Sequence, residues 1–171
     1  MKAALSPPEL LTEQHETADF TSGEVSLDDW LKRRARSNQI SGASRTYVAC
    51  EASKVIGYYA LASGAVTVAS TPGKFRRNMR DPIPVVVLGR LAVHRAWQNR
   101  GVGRALFRDA AQRIAHAADV IGIRGIVVHA ISEDARKFYL SLGFESCFQE
   151  SCLQEPMTLV VTLADVRAAL L

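Results

Sequence analysis

Several familiar signatures are missing from this chain. Its three cysteines, Cys50, Cys147 and Cys152, form an odd set with no metal-ligand spacing. That excludes a zinc knuckle and a fully paired disulfide framework, and the three read as reduced thiols. No metal is expected. No apolar run approaches the length of a membrane-spanning helix, so no membrane contact is expected. Met1 to Leu11 holds Lys2, Pro7 and Pro8 but no apolar core. A secretory leader is therefore not expected, and the expected location is cytoplasmic. Internal repeats and low-complexity linkers are absent. There is no Gly-Lys-Ser/Thr triplet for a P-loop, and the one glycine-rich loop lacks the third glycine of a dinucleotide fingerprint.

What is present fits one compact domain, residues 1–171, with 48% hydrophobic residues to build its core. The net charge is +4 and the sequence pI about 9.2, which favours an anionic ligand or partner. The charge is unevenly placed. Lys32, Arg33, Arg34 and Arg36 form one basic run, and Lys74, Arg76, Arg77 and Arg80 form another. These eight positive charges exceed the net charge of +4, so the rest of the chain is acidic on balance. The asymmetry points to an anionic macromolecule.

Hydrophobic spacing gives the elements. A short strand is expected near residues 8–11. Ser26-Leu27-Asp28-Asp29 looks like a capping box, with Leu27, Trp30, Leu31 and Ala35 as the apolar face of a helix ending near Ser41-Gly42. Residues 46–51 and 55–68 read as strands joined by an Ala-Ser-Lys turn, and 70–84 as a Pro- and Gly-bearing loop. Strand 85–93, helix 101–117 and strand 126–128 follow, with Val102, Leu106, Ala110 and Ile114 as the buried stripe. Ser132 is placed to cap a second helix bearing Ala135, Phe138, Tyr139 and Leu142 on one face and ending at Gly143. Strands at 144–149 and 157–163 and a helix at 164–171 close the chain.

The junction of strand 85–93 with helix 101–117 is the most informative stretch. Gln98-Asn99-Arg100-Gly101-Val102-Gly103 opens the helix. A helix N-terminus carries unpaired N–H groups and a positive dipole end, and glycines let a ligand approach the backbone. The combination suits phosphate. Tyr139 is the clearest candidate acid, because a phenol of pKa about 10 can still donate a proton at neutral pH. Its apolar stripe equally suits a core tyrosine with a satisfied hydroxyl. His94 and His129 are weaker candidates, read as surface and near-core groups. Arg90 interrupts a hydrophobic strand end, where it either lines an acceptor site or pairs with a carboxylate.

The loop and its strand resemble the acyl-CoA signature of the GNAT (GCN5-related N-acetyltransferase) family, Gln/Arg-x-x-Gly-x-Gly/Ala. The resemblance implies an α+β fold: a twisted mixed sheet of six to seven strands flanked by helices. In it two central parallel strands, here 85–93 and 125–130, splay apart to admit acetyl-CoA. It further implies that the backbone of Gln98, Asn99, Arg100, Gly101, Val102, Gly103 and Arg104 holds the pyrophosphate, that Leu91, Ala92 and Val93 pair with the pantetheine arm, and that Phe138 also contacts the cofactor. Tyr139 then protonates the departing thiolate. Phe20-Thr21-Ser22-Gly23, Ser26 to Leu31, Ala35 to Gln39, Ser44 to Val48, Val55 to Leu61 and Leu88 to Val93 resemble, more narrowly, the GNAT toxins of bacterial type II toxin–antitoxin modules. His94 stands where that group commonly has an acidic residue.

Such toxins acetylate the α-amino group of aminoacyl-tRNA and stop translation. The resemblance therefore implies aminoacyl-tRNA as acceptor, with Lys32, Arg36, Lys74, Arg76, Arg77, Arg80 and Arg90 as candidate contacts. It implies a ribbon-helix-helix antitoxin as partner, operator DNA reached only through the complex of the two, and a homodimer. Three other readings stand beside this one: an acetyltransferase for a small amine or a protein N-terminus, a non-catalytic CoA-binding module, and a nucleic-acid-binding protein with an incidental glycine loop.

Overall fold

The computed structural model describes residues 5–147 and 157–170. Cys152 and parts of the expected strand at 144–149 lie outside these residues. Among these residues seven strands run β1 (Glu9–Leu10), β2 (Arg45–Glu51), β3 (Lys54–Val66), β4 (Ile83–Val93), β5 (Gly125–Ala130), β6 (Glu145–Ser146) and β7 (Met157–Thr162). They form one mixed sheet in the order β1-β2-β3-β4-β5-β7-β6. Among the described residues six α-helices accompany it: α1 (Val25–Arg33), α2 (Ala35–Ser41), α3 (Gly73–Arg76), α4 (Val102–Ala118), α5 (Glu133–Ser141) and α6 (Leu163–Leu170). The α+β class expected from the sequence is the one observed.

The chain divides into two compact units. The first comprises residues 1–62 and 89–112. Here β2 pairs antiparallel with β1 and β3, and the β2–β3 turn passes through Ala52 at φ 54°. Val55, Ile56, Tyr58, Tyr59 and Ala60 of β3 are all buried. Such a continuous run marks a strand covered on both faces rather than one half-exposed to water. α1 and α2 contribute Leu31 and Ala35 to a core with Leu11, Phe20, Val48 and Tyr58. Burying a Leu or Phe side chain contributes roughly 1.5–3 kcal/mol before conformational entropy is subtracted.

The expected capping box is not used. α1 begins two residues earlier, with Glu24 in the cap position, and no side chain caps it. Ser26 lies inside the helix, while Asp28 is buried and turns back to Ser22. The helix is also interrupted at Arg34, where φ −120° leaves α-helical geometry, before α2 ends at Gly42.

The second unit comprises residues 63–88 and 113–171. β4 and β5 form a parallel ladder at Val85–Val87 against Gly125–Val127, while β5 continues antiparallel to β7 as far as Ala130. Among the described residues the parallel ladder stops there. Phe75, Ile83, Val85, Val127 and Val160 form the core. Gly125 has no alternative: a Cβ there would lie 2.0 Å from the Val161 carbonyl oxygen. The expected loop at 70–84 contains α3 and follows a 3-10 turn at Val68–Ser70. α5 starts as expected, with the Ser132 hydroxyl accepting a hydrogen bond from the Ala135 amide at 3.1 Å.

Candidate active site

β4 delivers the chain to the glycine loop. Ala92 is buried at its end, between half-buried Leu91 and Val93. The His94 amide then donates to the Ile56 carbonyl at 2.8 Å, continuing the strand's alignment. The His94 ring is used structurally: Nδ1 accepts from the Ala96 amide at 3.0 Å and caps a 3-10 turn at Arg95–Trp97. Asn99 and Gly101 both adopt positive φ, 61° and 82°. A Cβ on Gly101 would meet open space, so glycine is needed there for its backbone conformation. Left-handed residues at these two places turn the chain into α4 and favour the concave array of amides that binds anions. Helix geometry leaves the first amides of α4, those of Val102 and Gly103, without acceptors within the helix, whereas the Ala105 amide already donates to the Gly101 carbonyl at 3.1 Å. Arg100 lies over the Trp97 ring at 4.9 Å. This backbone fits a pyrophosphate.

Gln98 differs in its part. Its Nε2 donates to the Ser22 carbonyl at 2.6 Å and to the Val93 carbonyl at 2.9 Å. Both amide hydrogens are spent, so the side chain braces the loop instead of offering a donor to a ligand.

In the second unit Tyr139 is buried on α5, between Phe138 and Phe144, with ring centroids 5.2 and 5.3 Å away in edge-on geometry. Burial pushes its pKa well above the usual tyrosine value, so the phenol stays protonated. Among the described residues no hydrogen bond reaches its hydroxyl. His129 on β5 has its Nδ1 3.0 Å from the Thr158 hydroxyl, and desolvation holds its pKa below the usual histidine value.

The candidate RNA contacts separate into two kinds. The Arg36 guanidinium donates to the Thr12 and His15 carbonyls at 3.2 and 2.7 Å. Lys74 pairs with Asp165 at 2.8 Å. Those two side chains are engaged within the fold. Lys32, Arg76, Arg77 and Arg80 are exposed, and among the described residues their side chains make no ion pair or hydrogen bond. Arg90 pairs with no carboxylate among the described residues; its guanidinium lies 5.0 Å from the Trp30 ring centre. Trp30 stacks on Tyr58, whose hydroxyl donates to the Leu27 carbonyl at 2.7 Å. Sequence reasoning missed Arg124. Its guanidinium donates to the Phe75 and Lys74 carbonyls, both at 2.8 Å, and so caps α3 beside the basic loop. A lone arginine before a buried strand gave no sign of this. Among the described residues no cluster of side chains could hold a metal ion, and no helix is long and apolar enough to cross a membrane.

Comparison with known proteins agrees with this geometry. The acetyltransferase (GNAT) domain model matches residues 42–146. A tRNA-acetylating toxin of Mycobacterium tuberculosis is 46% identical over 163 residues, covering 95% of each chain. A probable toxin TacT of Sinorhizobium fredii is 29% identical, covering 91% of this chain and 89% of its own. Among solved structures, AtaT complexed with acetyl-methionyl-tRNAfMet superposes with a TM-score of 0.87 at 28% identity, over 96% of this chain and 98% of that one. With a family model that matches residues 42–146 and a relative 46% identical over nearly the whole of both chains, the chain belongs to the GNAT acetyltransferase family.

Proposed function

We infer that the chain is a toxin-type N-acetyltransferase that moves the acetyl group of acetyl-CoA onto the α-amino group of an aminoacyl-tRNA and so blocks translation. The observation that carries the acceptor is the 46% identity, over nearly the whole of both chains, to a tRNA-acetylating toxin. AtaT solved with acetyl-methionyl-tRNAfMet supports the same acceptor class. AtaT has also been solved with its antitoxin and acetyl-CoA.

The chemistry follows from groups already described. An α-amino group has a pKa of about 7.7–8.0, so part of it is neutral at pH 7. Its lone pair attacks the thioester carbonyl and the C–N bond forms. A backbone amide near Val93 is the candidate donor to the developing oxyanion. The C–S bond then breaks, and the leaving thiolate takes the proton of the Tyr139 hydroxyl. The nitrogen's surplus proton passes to water, and water reprotonates the phenolate. Products are CoA thiol and N-acetyl-aminoacyl-tRNA. The partnerless hydroxyl of Tyr139 supports this role.

The wider assembly is read from the same relatives. AtaT is solved bound to the C-terminus of its antitoxin AtaR, and the AtaT–AtaR complex is solved bound to DNA. For this chain the reading is a homodimer in the cytoplasm, held inactive by a ribbon-helix-helix antitoxin that carries it to operator DNA. Residues 1–171 act as one catalytic domain, a view supported by a family match that runs through both compact units.

The test is acetyl transfer from labelled acetyl-CoA by purified protein, with charged tRNA, uncharged tRNA, small amines and an N-terminal peptide offered in parallel. Label on charged tRNA alone is the expected result. Transfer only to a small amine or peptide would move the chain to another acceptor class. Binding of acetyl-CoA without any transfer would leave a CoA-binding module.

A further inference from the structure

We propose that Ser22 and Asp28 are positioning residues for the pyrophosphate loop, forming a strap that fixes the loop through Gln98. The proposal rests on the acetyl-CoA reading above.

The strap is built from a carboxylate that the transfer chemistry does not use. Asp28 is 8% exposed, and its Oδ1 accepts from the Ser22 amide at 2.9 Å and the Ser22 hydroxyl at 2.6 Å. Asp28 has little freedom of its own. The preceding carbonyl, of Leu27, accepts from the Tyr58 hydroxyl at 2.7 Å, and Tyr58 is fully buried in β3. Ser22 is therefore held through both its amide and its hydroxyl, which leaves its carbonyl to accept from elsewhere. That carbonyl takes one hydrogen of Gln98 Nε2 at 2.6 Å. The other hydrogen goes to Val93 at 2.9 Å. One residue earlier, the Thr21 carbonyl accepts from the Arg95 amide at 2.8 Å. Residues 21–22 thus grip both ends of the segment 95–98, which leads into the left-handed turn at Asn99 and Gly101.

A loop that binds an anion through backbone amides works only if those amides already converge, because ordering them on binding costs affinity. Hydrogen bonds to a buried carboxylate are among the stronger ones available for that task. The strap also accounts for Asp28, which a capping box would have left at the helix start. Its charge holds the cofactor loop instead. The predicted consequence is specific. Loosening the strap weakens acetyl-CoA binding and raises its KM, while kcat and the KM for the amine acceptor change little.

The test is a double-mutant cycle on acetyl-CoA affinity, read by calorimetry, with steady-state KM and kcat alongside. Asp28→Ala and Gln98→Met are each expected to weaken acetyl-CoA binding about tenfold, on the order of one charge-assisted hydrogen bond. If both act through Ser22, the double variant is no weaker than the worse single variant. Asp28→Asn retains an acceptor oxygen and is expected to restore most of the affinity. Ser22→Ala, which removes only the hydroxyl, replaces Asp28→Ala in the cycle if that variant does not fold. Additive losses, wild-type affinity in the folded strap variants, or a fall in kcat at unchanged KM would each overturn the strap. Wild-type protein that binds no acetyl-CoA would instead overturn the cofactor reading, and the strap with it.

Discussion

The hydroxyl of Tyr139 and the amide of Gln98 show how differently two candidate polar groups can be used. Gln98 has no hydrogen left to give, whereas the Tyr139 hydroxyl meets no partner among the described residues. Tyr139→Phe keeps the edge-on packing and removes only the proton. General acids contribute about 10²–10⁴-fold, so turnover should fall by that factor while calorimetry finds acetyl-CoA binding unchanged. Turnover close to wild type would return Tyr139 to a packing role. The pH profile carries its own sign. The acceptor amine must be neutral, so kcat/KM should rise through about pH 7–8. Tyr139, with its pKa raised by burial, keeps its proton at higher pH than a free phenol of pKa about 10 does. The activity should therefore stay level to at least about pH 10, and an alkaline fall near about pH 9 would contradict the assignment.

Among the elements, those set by local spacing were legible in the sequence. The buried stripe of Leu106, Ala110 and Ile114 located α4 to within a residue, and Ser132 caps α5 as its position suggests. What was not legible depends on residues distant in the chain. Gln98 reaches Ser22 across 76 positions, Lys74 reaches Asp165 across 91, and Arg124 reaches the α3 carbonyls across about 50. No spacing rule announces such meetings. The motif Ser26 to Asp29 misled for a related reason, because the helix starts before it and Asp28 within it reaches Ser22, six positions back. Arg124 carries a testable consequence at this level. Removing it in Arg124→Ala leaves the last carbonyls of α3 without their donor, at a cost of about 1–2 kcal/mol. Hydrogen exchange should then accelerate at residues 74–81 and not in β2 or β3. An unchanged pattern would mean that other interactions hold the basic loop.

At the scale of the molecule, charge decides how an RNA would be gripped. Lys74 and Arg36 are tied into the fold, which leaves Arg76, Arg77, Arg80 and Lys32 as the exposed cations from the candidate set. Each phosphate that the protein no longer neutralises lowers the dependence of log Kd on log salt by about 0.7–0.9. Replacing Arg76 and Arg77 with alanine should reduce that slope by about 1.4–1.8 and leave acetyl-CoA affinity intact. An identical slope in the double variant would sink this choice of surface. The partnerless hydroxyl of Tyr139 has one more consequence, for heat rather than for rate. Its oxygen is not one of the enclosed partnerless side-chain atoms of the described residues, which are Ser44 Oγ and Thr46 Oγ1, so removing it gives up no internal hydrogen bond. The inactive Tyr139→Phe protein should melt at or above the temperature of the wild type, and a clear drop in Tm would reveal an internal partner for the hydroxyl. If it melts no lower, a single oxygen atom separates a working acetyltransferase from an equally stable and nearly inert copy of itself.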